Sequence, residues 1–217
     1  MNIVLMDVDY TLYPRGTGPF NFVNMKIDEY VMQALDIGID ETKNLRRSYF
    51  GKYGSTLGGM IENHGTDPFE YCAFVHDVPV EELLGNDSRL RETLSEITFP
   101  IVAFTNASRG YVIRVLNALG IKDLFQDLFT IEDMGFIPKP RTEPYDIITE
   151  RFQKDASEFI CIDDRADNID TAILKGMQGI LVGGDFSGTA SWWAKDIFDV
   201  PQAIEMLKQR TKRSFAL

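Results

Sequence analysis

The sequence has few cysteines and no long apolar run. Cys72 and Cys161 are the two cysteines in 217 residues, too few for a disulfide framework, and neither belongs to a CxxC pair. No stretch approaches the ~18 apolar residues of a membrane span. Asp7 and Asp9 directly follow the first apolar run, so no signal-peptide core and cleavage site can be drawn. We therefore expect reduced thiols and a cytoplasmic location.

Basic residues are also scarce relative to acidic ones. The chain has 22 Lys and Arg against 33 Asp and Glu, a formal net charge of −11. This balance argues against non-specific binding to nucleic acid or anionic membranes, for which clustered cations supply the affinity. Small anionic substrates remain compatible with it, because local cations, a metal or backbone amides can hold them. The sequence leaves the oligomeric state open.

Hydrophobic residues make up 44% of the chain, enough for a sizeable core. Short runs of β-branched and large apolar residues predict five buried strands, and segments with helical periodicity lie between the later ones. Alternation of this kind indicates an α/β fold, a Rossmann-like parallel sheet with helices on both faces. The predicted strands are Asn2 to Met6, Ile101 to Phe104, Leu128 to Ile131, Phe159 to Ile162 and Gly179 to Val182; the predicted helices are about 109–119, 143–152 and 168–175.

The segment from about residue 20 to 97 breaks the alternation. Its apolar spacing is helical over Met25 to Leu35 and Leu83 to Leu94, and β-branched runs are few. We interpret residues 20–97 as a helical cap inserted into a core domain formed by residues 1–19 and 98–217. The strands that carry the motifs below, the first, second and fourth, are expected to lie at the centre of the sheet.

Two pairs of aspartates follow predicted strands. Asp7 and Asp9 end the first strand in DVDYTLYP, and Asp163 and Asp164 end the fourth in FICIDDRADNID. Ligands of open α/β sheets bind at the carboxyl ends of the strands. Carboxylates about 4 Å apart repel by ~4 kcal/mol at an effective dielectric of 20, so their convergence requires a counter-ion. Hard anionic oxygens suggest Mg²⁺, which also pairs with a substrate phosphate.

Two further motifs follow the second and third strands. Thr105 and Asn106, in FTNAS, precede a helix whose free amides favour an anion. Lys139 lies between Pro138 and Pro140, which restrict the backbone and hold the start of its side chain in a defined orientation.

The four motifs together resemble the haloacid dehalogenase superfamily, whose members are mostly Mg²⁺-dependent phosphohydrolases with an inserted cap. The resemblance runs from Asn2 to about Asp185. It implies that Asp7 is the nucleophile and that Asp9 is the general acid and base and lends a carbonyl to the metal. It further implies phosphoryl binding by Thr105, the Asn106 amide and Lys139, metal ligation by Asp7 and Asp164, and a role for Asp163 through metal-bound water.

A narrower resemblance, to the pyrimidine 5′-nucleotidase group, is carried by TLYPRGTG (11–18) and by the cap segment 48–65. It implies a pyrimidine nucleoside 5′-monophosphate as substrate. Arg165 and Tyr10 depart from that group, which often has a small residue and Asn there. Three alternatives stay open: a phosphatase for sugar phosphates or phosphoglycolate, a phosphomutase, and a non-catalytic binding or regulatory protein that kept the fold.

Overall fold

The computed structural model describes residues 2–184 and 189–214, with side chains as far as Gln209. Asp185, the predicted end of the family resemblance, lies outside the described residues. Six parallel strands form one sheet in the order β3-β2-β1-β4-β5-β6. Their bounds are Ile3–Met6 (β1), Ile101–Phe104 (β2), Phe125–Phe129 (β3), Phe159–Asp163 (β4), Gln178–Val182 (β5) and Trp192–Ala194 (β6).

The order of the strands places β1 between β2 and β4, so the three strands that carry the motifs are central, as predicted. The chain leaves β1 in one direction through β2 and β3 and returns to continue in the other through β4, β5 and β6. Right-handed crossovers in opposite directions put the connecting helices on opposite faces of the sheet. The reversal next to β1 creates a crevice at the carboxyl ends of the strands, where ligands of such sheets bind.

Two details of the predicted sheet are wrong. The third strand is Phe125–Phe129 and not 128–131, because Thr130 donates through its N–H (2.9 Å) and its hydroxyl (2.9 Å) to the Asp133 carboxylate, which begins a turn. Its exposed Gln126 obscured the start of the strand in the sequence. The sheet also has a sixth strand, Trp192–Ala194, which at three residues is too short to give a periodic signal.

The segment between β1 and β2 is helical, as predicted, and contains no strand among its described residues. Its two longest helices are joined through Gly38 and followed by shorter ones. The predicted helix over 83–94 is instead two helices separated by residues 84–87, because the Asp87 carboxylate caps a new helix at Leu90 N–H (2.9 Å). The bounds are Phe20–Leu35 (α1), Ile39–Tyr53 (α2), Thr56–His64 (α3), Pro68–Val75 (α4), Val80–Leu83 (α5) and Ser88–Ser95 (α6).

In the described part of the chain, four more α-helices follow β2: Arg109–Ala118 (α7), Glu143–Phe152 (α8), Ala166–Leu174 (α9) and Val200–Ser214 (α10). The first three match the predicted helices to within two residues at each end. Gly120 and Gly176, predicted at helix ends, have φ values of +71° and +89°, a left-handed conformation that costs glycine little. No helix in the described part of the chain is long and apolar enough to cross a bilayer.

The hydrophobic interior consists of one large cluster around the sheet and one small cluster in the insertion. Every residue of β1 is buried, as expected for a central strand covered on both faces. Leu90 and Leu94 of α6 belong to the large cluster, whereas Val31, Tyr49 and Met60 form the small one between α1, α2 and α3. The boundary of the cap at residue 97 stays a prediction.

Candidate active site

The carboxyl ends of β1 and β4 bring the two aspartate pairs together. The register pairs Met6 with Ile162, and the N–H of Asp7 donates to the Ile162 carbonyl at 2.9 Å. Asp7 therefore lies beside Asp163, the last residue of β4. Both side chains are buried, and Asp164 follows at the rim.

Lys139 provides the buried positive charge between these carboxylates. Its Nζ lies 3.0 Å from Asp7 Oδ1 and 2.7 Å from Asp163 Oδ2, and it also donates to the Phe104 carbonyl at 2.5 Å. Burial acts to lower the pKa of Lys139, but Asp163 and Asp7 outweigh it and raise the pKa. The lysine therefore stays charged. Its side chain is 1% exposed and does not line the cleft, whereas Asp7 does.

Asp163 accepts hydrogen bonds from three residues. Besides Lys139, the Asn168 Nδ2 lies 2.9 Å from each of its oxygens, and the Arg165 N–H donates to Oδ1 at 3.0 Å. Asn168 stands on α9, which begins directly after the DDR turn. Because its oxygens are occupied by these donors, Asp163 holds Lys139 and the start of α9 in place.

Asp7 and Asp164 are less constrained. Thr11 Oγ1 donates to Asp7 Oδ2 at a long 3.3 Å, and the exposed guanidinium of Arg15 pairs with Asp164 Oδ2. Burial raises the pKa of Asp7 well above its usual range, with Lys139 opposing and Asp163 adding to the rise. Burial, followed by the charge of Asp163, raises the pKa of Asp164 to about 6. Burial is the largest cause of both shifts, and the charge of Asp163 adds to it.

The arrangement fits a hard divalent cation. One oxygen each from Asp7, Asp163 and Asp164 lie within 4.8 Å of one another. The nearby Asn168 Oδ1 is buried and has no hydrogen-bond partner among the described residues. Carboxylate and amide oxygens are what Mg²⁺ takes as ligands, together with water. Of these residues, Asp7 and Asp164 are best suited to bind it directly, since donors occupy Asp163.

Asp9 is held differently from Asp7. Its Oδ1 accepts a hydrogen bond from Tyr111 Oη at 2.7 Å and a shorter one from Tyr13 Oη. Burial raises the pKa of Asp9 to about 6, although the two tyrosine hydrogen bonds lower it in part. A carboxyl group with a pKa near neutrality can both donate and accept a proton at physiological pH.

Thr105 and Asn106 border the site at the end of β2. Thr105 is 2% exposed and its hydroxyl accepts from the Ala107 N–H at 3.1 Å. The Asn106 side chain bonds the backbone of Lys139 twice, through Nδ2 to the carbonyl (2.9 Å) and from the Lys139 N–H to Oδ1 (2.8 Å). Asn106 thus fixes the loop that carries the lysine, whose Lys139-Pro140 peptide bond is cis.

A cleft of about 410 Å³ opens above these residues. Its floor contains Asp7, Asp9, Thr105 and Asp164, and its opposite wall comes from the helical insertion. That wall combines apolar and aromatic side chains with one arginine; it includes Val23, Ile27, Arg46, Phe50, Leu57 and Tyr71. The cleft can hold a phosphate ester with its phosphate on the sheet edge and its leaving group under the insertion.

The structure brings together all seven residues singled out in the sequence: Asp7, Asp9, Thr105, Asn106, Lys139, Asp163 and Asp164. Their individual roles stay predictions. Sequence reasoning missed four supporting residues, namely Tyr13, Arg15, Tyr111 and Asn168. Tyr13 and Asn168 lie within the two aspartate motifs and Arg15 directly follows the first, so their proximity in the sequence was available as a signal. Tyr111 is one of the buried residues of α7, and nothing in the sequence distinguishes it from the others.

Comparison with known proteins agrees with this geometry. Residues 1–174 match the protein-family model of haloacid dehalogenase-like hydrolases. Phosphate metabolism protein 8 of Saccharomyces cerevisiae is 29% identical over 197 residues, which cover 82% of this chain. The match spans 60% of the length of that yeast protein.

Solved structures with the same fold include the following three, and HAD in the names of two of them abbreviates haloacid dehalogenase. The HAD-hydrolase YfnB of Bacillus subtilis, bound to magnesium, is 17% identical with a TM-score of 0.62. The HAD phosphatase of Thermococcus onnurineus is 18% identical with a TM-score of 0.60. L-2-haloacid dehalogenase of Xanthobacter autotrophicus is 11% identical with a TM-score of 0.60. In each case 94% of this chain and 98% of the other are covered, and at these identities the likeness shows the fold alone.

Proposed function

The chain belongs to the haloacid dehalogenase-like hydrolases, and on this premise we propose that it hydrolyses phosphate monoesters with Mg²⁺, through an aspartyl phosphate on Asp7. The observation that carries the proposal is the pairing of two differently held carboxylates in one cleft. Asp7 lies between Lys139 and the other acidic groups, whereas Asp9 has a pKa of about 6 and two phenol donors.

The two carboxylates divide the chemistry. An oxygen of Asp7 attacks phosphorus as the bond to the leaving oxygen breaks, and Asp9 gives that oxygen its proton. Asp9 then takes a proton from water, whose oxygen attacks phosphorus and releases Asp7 and inorganic phosphate. Bound Mg²⁺ would supply charge neutralisation between Asp7 and the phosphate and would help to align them. Asp7 and Asp164 would hold it.

The remaining groups stabilise the transferring phosphoryl group. Lys139 places its charge 3.0 Å from the attacking carboxylate, and Thr105 lines the cleft floor. The N–H of Asn106 has no acceptor among the described residues and is available to an equatorial phosphate oxygen. A dehalogenase has no leaving alkoxide to protonate, so an acid at Asp9 favours phosphoryl transfer over dehalogenation.

For the substrate we propose nucleoside 5′-monophosphates, pyrimidine ones in particular. The support is the resemblance of TLYPRGTG and of residues 48–65 to the pyrimidine 5′-nucleotidase group, together with a cleft of about 410 Å³ that has an aromatic and apolar wall. The name of the yeast relative, Phosphate metabolism protein 8, also points to phosphate chemistry.

The activity is tested with p-nitrophenyl phosphate in the presence of Mg²⁺ or of EDTA. We expect turnover with the metal and none with the chelator, and none in Asp7→Asn under either condition. Metal-independent turnover, or turnover that persists in Asp7→Asn, would contradict the proposal. A non-catalytic binding protein would give no release at all.

The substrate is tested by phosphate release from UMP and CMP, several sugar phosphates and 2-phosphoglycolate. Pyrimidine nucleotides should have the highest kcat/KM. If several sugar phosphates exceeded UMP and CMP by tenfold, a difference of ~1.4 kcal/mol in transition-state binding, the nucleotide assignment would be wrong while the hydrolase assignment would stand.

A further inference from the structure

Two buried tyrosines meet at one oxygen of Asp9. Tyr111 Oη lies 2.7 Å from Asp9 Oδ1, Tyr13 Oη makes a still shorter contact to the same atom, and the two hydroxyls are 3.4 Å apart. Tyr13 is 5% exposed and Tyr111 is 2% exposed. The other oxygen, Oδ2, has no hydrogen-bond donor among the described residues, and Asp9 borders the cleft whereas neither tyrosine does. The tyrosines therefore hold Asp9 from behind.

We propose that Tyr13 and Tyr111, here called the phenol pair, are positioning residues that hold Asp9 by Oδ1 and leave Oδ2 alone to exchange the proton with the leaving group and with water. The proposal rests on the proposed function, because it assigns a role within that proton transfer. The phenol pair touches neither substrate nor phosphorus. Its effect on the reaction passes through the orientation of one carboxylate.

The two members of the phenol pair arrive from different parts of the chain. Tyr13 follows Asp9 by four residues in a helical turn, in which the Leu12 N–H bonds the Val8 carbonyl at 3.0 Å. Tyr111 comes from α7, whose start lies beside Thr105 and Asn106. Burial raises the pKa of both hydroxyls far above the usual value for tyrosine, so both remain protonated donors. With two fixed donors on one oxygen, rotation of the Asp9 carboxylate would break both bonds at once.

The ring of Tyr111 is itself held. His76, at the end of α4, stacks on it with ring centroids 4.7 Å apart and an angle of 25° between the planes. The His76 Nδ1 is bonded to Ser108 Oγ at 2.8 Å, which anchors the imidazole to the start of α7. Packing alone would be served by phenylalanine at position 111. The hydroxyl of a buried tyrosine needs a hydrogen-bond acceptor, since a buried hydroxyl without a partner costs ~1–3 kcal/mol, and here the acceptor is Asp9.

The test compares two esters of nearly equal shape, phenyl phosphate and p-nitrophenyl phosphate, in Tyr13→Phe and Tyr111→Phe. Phenol is the more basic leaving group and needs the proton from Asp9 more. The measured quantity is kcat/KM, which reports the steps up to formation of the aspartyl phosphate. Because full general-acid assistance is worth ~10²–10⁴-fold, we expect the p-nitrophenyl to phenyl ratio of kcat/KM to widen by about tenfold. KM should change by less than about threefold.

A matched control is Tyr49→Phe. Tyr49 is also buried and its hydroxyl is bonded, to His64 Nε2 at 2.6 Å, but it lies in the insertion away from Asp9. This variant should keep the wild-type ratio. In an Asp9→Asn background, Tyr111→Phe should cause no further widening, because no proton remains to be positioned.

If kcat/KM fell by the same factor for both esters, or did not fall at all, the ratio would be unchanged. That result would overturn the phenol-pair proposal and leave the proposed hydrolase activity standing. If Tyr13→Phe fails to fold, Tyr111→Phe decides alone. Absence of phosphate release from either ester by the wild type with Mg²⁺ would refute the proposed function, and the phenol-pair proposal would fall with it.

Discussion

Lys139 is the residue on which the charge balance of the site depends. It is buried between Asp7 and Asp163 and bonded to the Phe104 carbonyl, so its three donors have fixed acceptors. A buried ion pair of this kind contributes little net stability, since desolvation offsets the attraction. Its contribution is to positioning, because the 3.0 Å hydrogen bond from its Nζ to Oδ1 fixes the place of the Asp7 carboxylate. Positioned charge of this kind stabilises a transition state without reorganisation.

The roles of Asp7 and Asp9 can be separated by substitution. Asp7→Asn should abolish both turnover and covalent labelling, because an amide is no nucleophile. Asp9→Asn should still form the phosphoenzyme from p-nitrophenyl phosphate, since this leaving group needs little protonation. Hydrolysis of that phosphoenzyme should then be slower by ~10²–10⁴-fold, because no base remains to take a proton from water. Rapid quench and mass spectrometry of the peptide spanning Asp7 measure both steps. Phosphate on Asp9 in the wild type, or full activity in Asp9→Asn, would contradict the assignment.

At the scale of the element, the contact between α2 and α3 depends on a glycine. A Cβ added at Gly59 would lie 2.1 Å from Tyr49 Cγ, well inside van der Waals contact. Gly59→Ala should therefore destabilise the insertion by ~1–3 kcal/mol through overpacking. Gly51→Ala is the matched control, because a Cβ there meets nothing within 4 Å. It should gain up to ~1 kcal/mol from the higher helix propensity of alanine. Urea unfolding measures both, and equal stability of the two variants would contradict the packing argument.

The junction between α4 and α7 contains a buried histidine. Burial lowers the pKa of His76 from its ordinary value of 6.5 to about 4. Between these two pH values the unfolded chain binds a proton that the folded chain does not. Stability from this group is therefore fully present above pH 6.5 and is lost as the pH falls toward 4, by up to about 3 kcal/mol.

The measurement for His76 is urea unfolding at pH 7 and pH 5, with the wild type compared with His76→Gln. Asp9 and Asp164, whose pKa values are raised to about 6, contribute a pH dependence of opposite sign. The difference between the two proteins isolates the histidine, and the wild type should lose more stability at pH 5 than the variant. His64→Gln, at the exposed histidine, is the control and should behave as the wild type does. Identical slopes in wild type and His76→Gln would contradict the assignment.

The elements show what a sequence can and cannot reveal. Central strands such as Ile101–Phe104 were predictable because they are continuous buried runs, and helices α7 to α9 because one face is apolar. The strand Trp192–Ala194 was not predictable, since three residues are too few to show an alternation of apolar and polar side chains. Asp7 and Asp164 were predictable as neighbours because parallel strands end at one edge. The contact of Tyr111 with Asp9 spans 102 residues and depends on how α7 packs, which no local pattern records.

On the scale of the whole molecule, the proposed phosphate-ester substrate is an anion that would have to bind to an acidic chain. The net charge is −11, and four carboxylates converge at the sheet edge. The cleft lining offsets this with Arg15, Arg46 and Arg165, and Lys139 lies beneath it. All three of these arginines are paired with carboxylates, Arg15 with Asp164, Arg46 with Asp28 and Arg165 with Asp167. For the proposed substrate to bind, local cations and the proposed divalent ion would together have to outweigh the repulsion from the rest of the surface.

That balance predicts that Mg²⁺ stabilises the folded chain. A ligand that binds only the folded state adds RT ln(1 + [L]/Kd), about 2.7 kcal/mol at 100 times Kd. For a chain of 217 residues this corresponds to a rise of roughly 5–10 °C in Tm between EDTA and saturating Mg²⁺. Asp164→Asn should lose most of the rise, because it removes one of the carboxylates that can bind the ion directly. Asp155→Asn changes an exposed carboxylate outside the cluster and should keep the full rise. Differential scanning calorimetry measures the shift without reference to turnover. An equal rise in Tm in Asp164→Asn and in the wild type would mean that the ion binds elsewhere on the molecule. No rise in the wild type would contradict the proposed metal site.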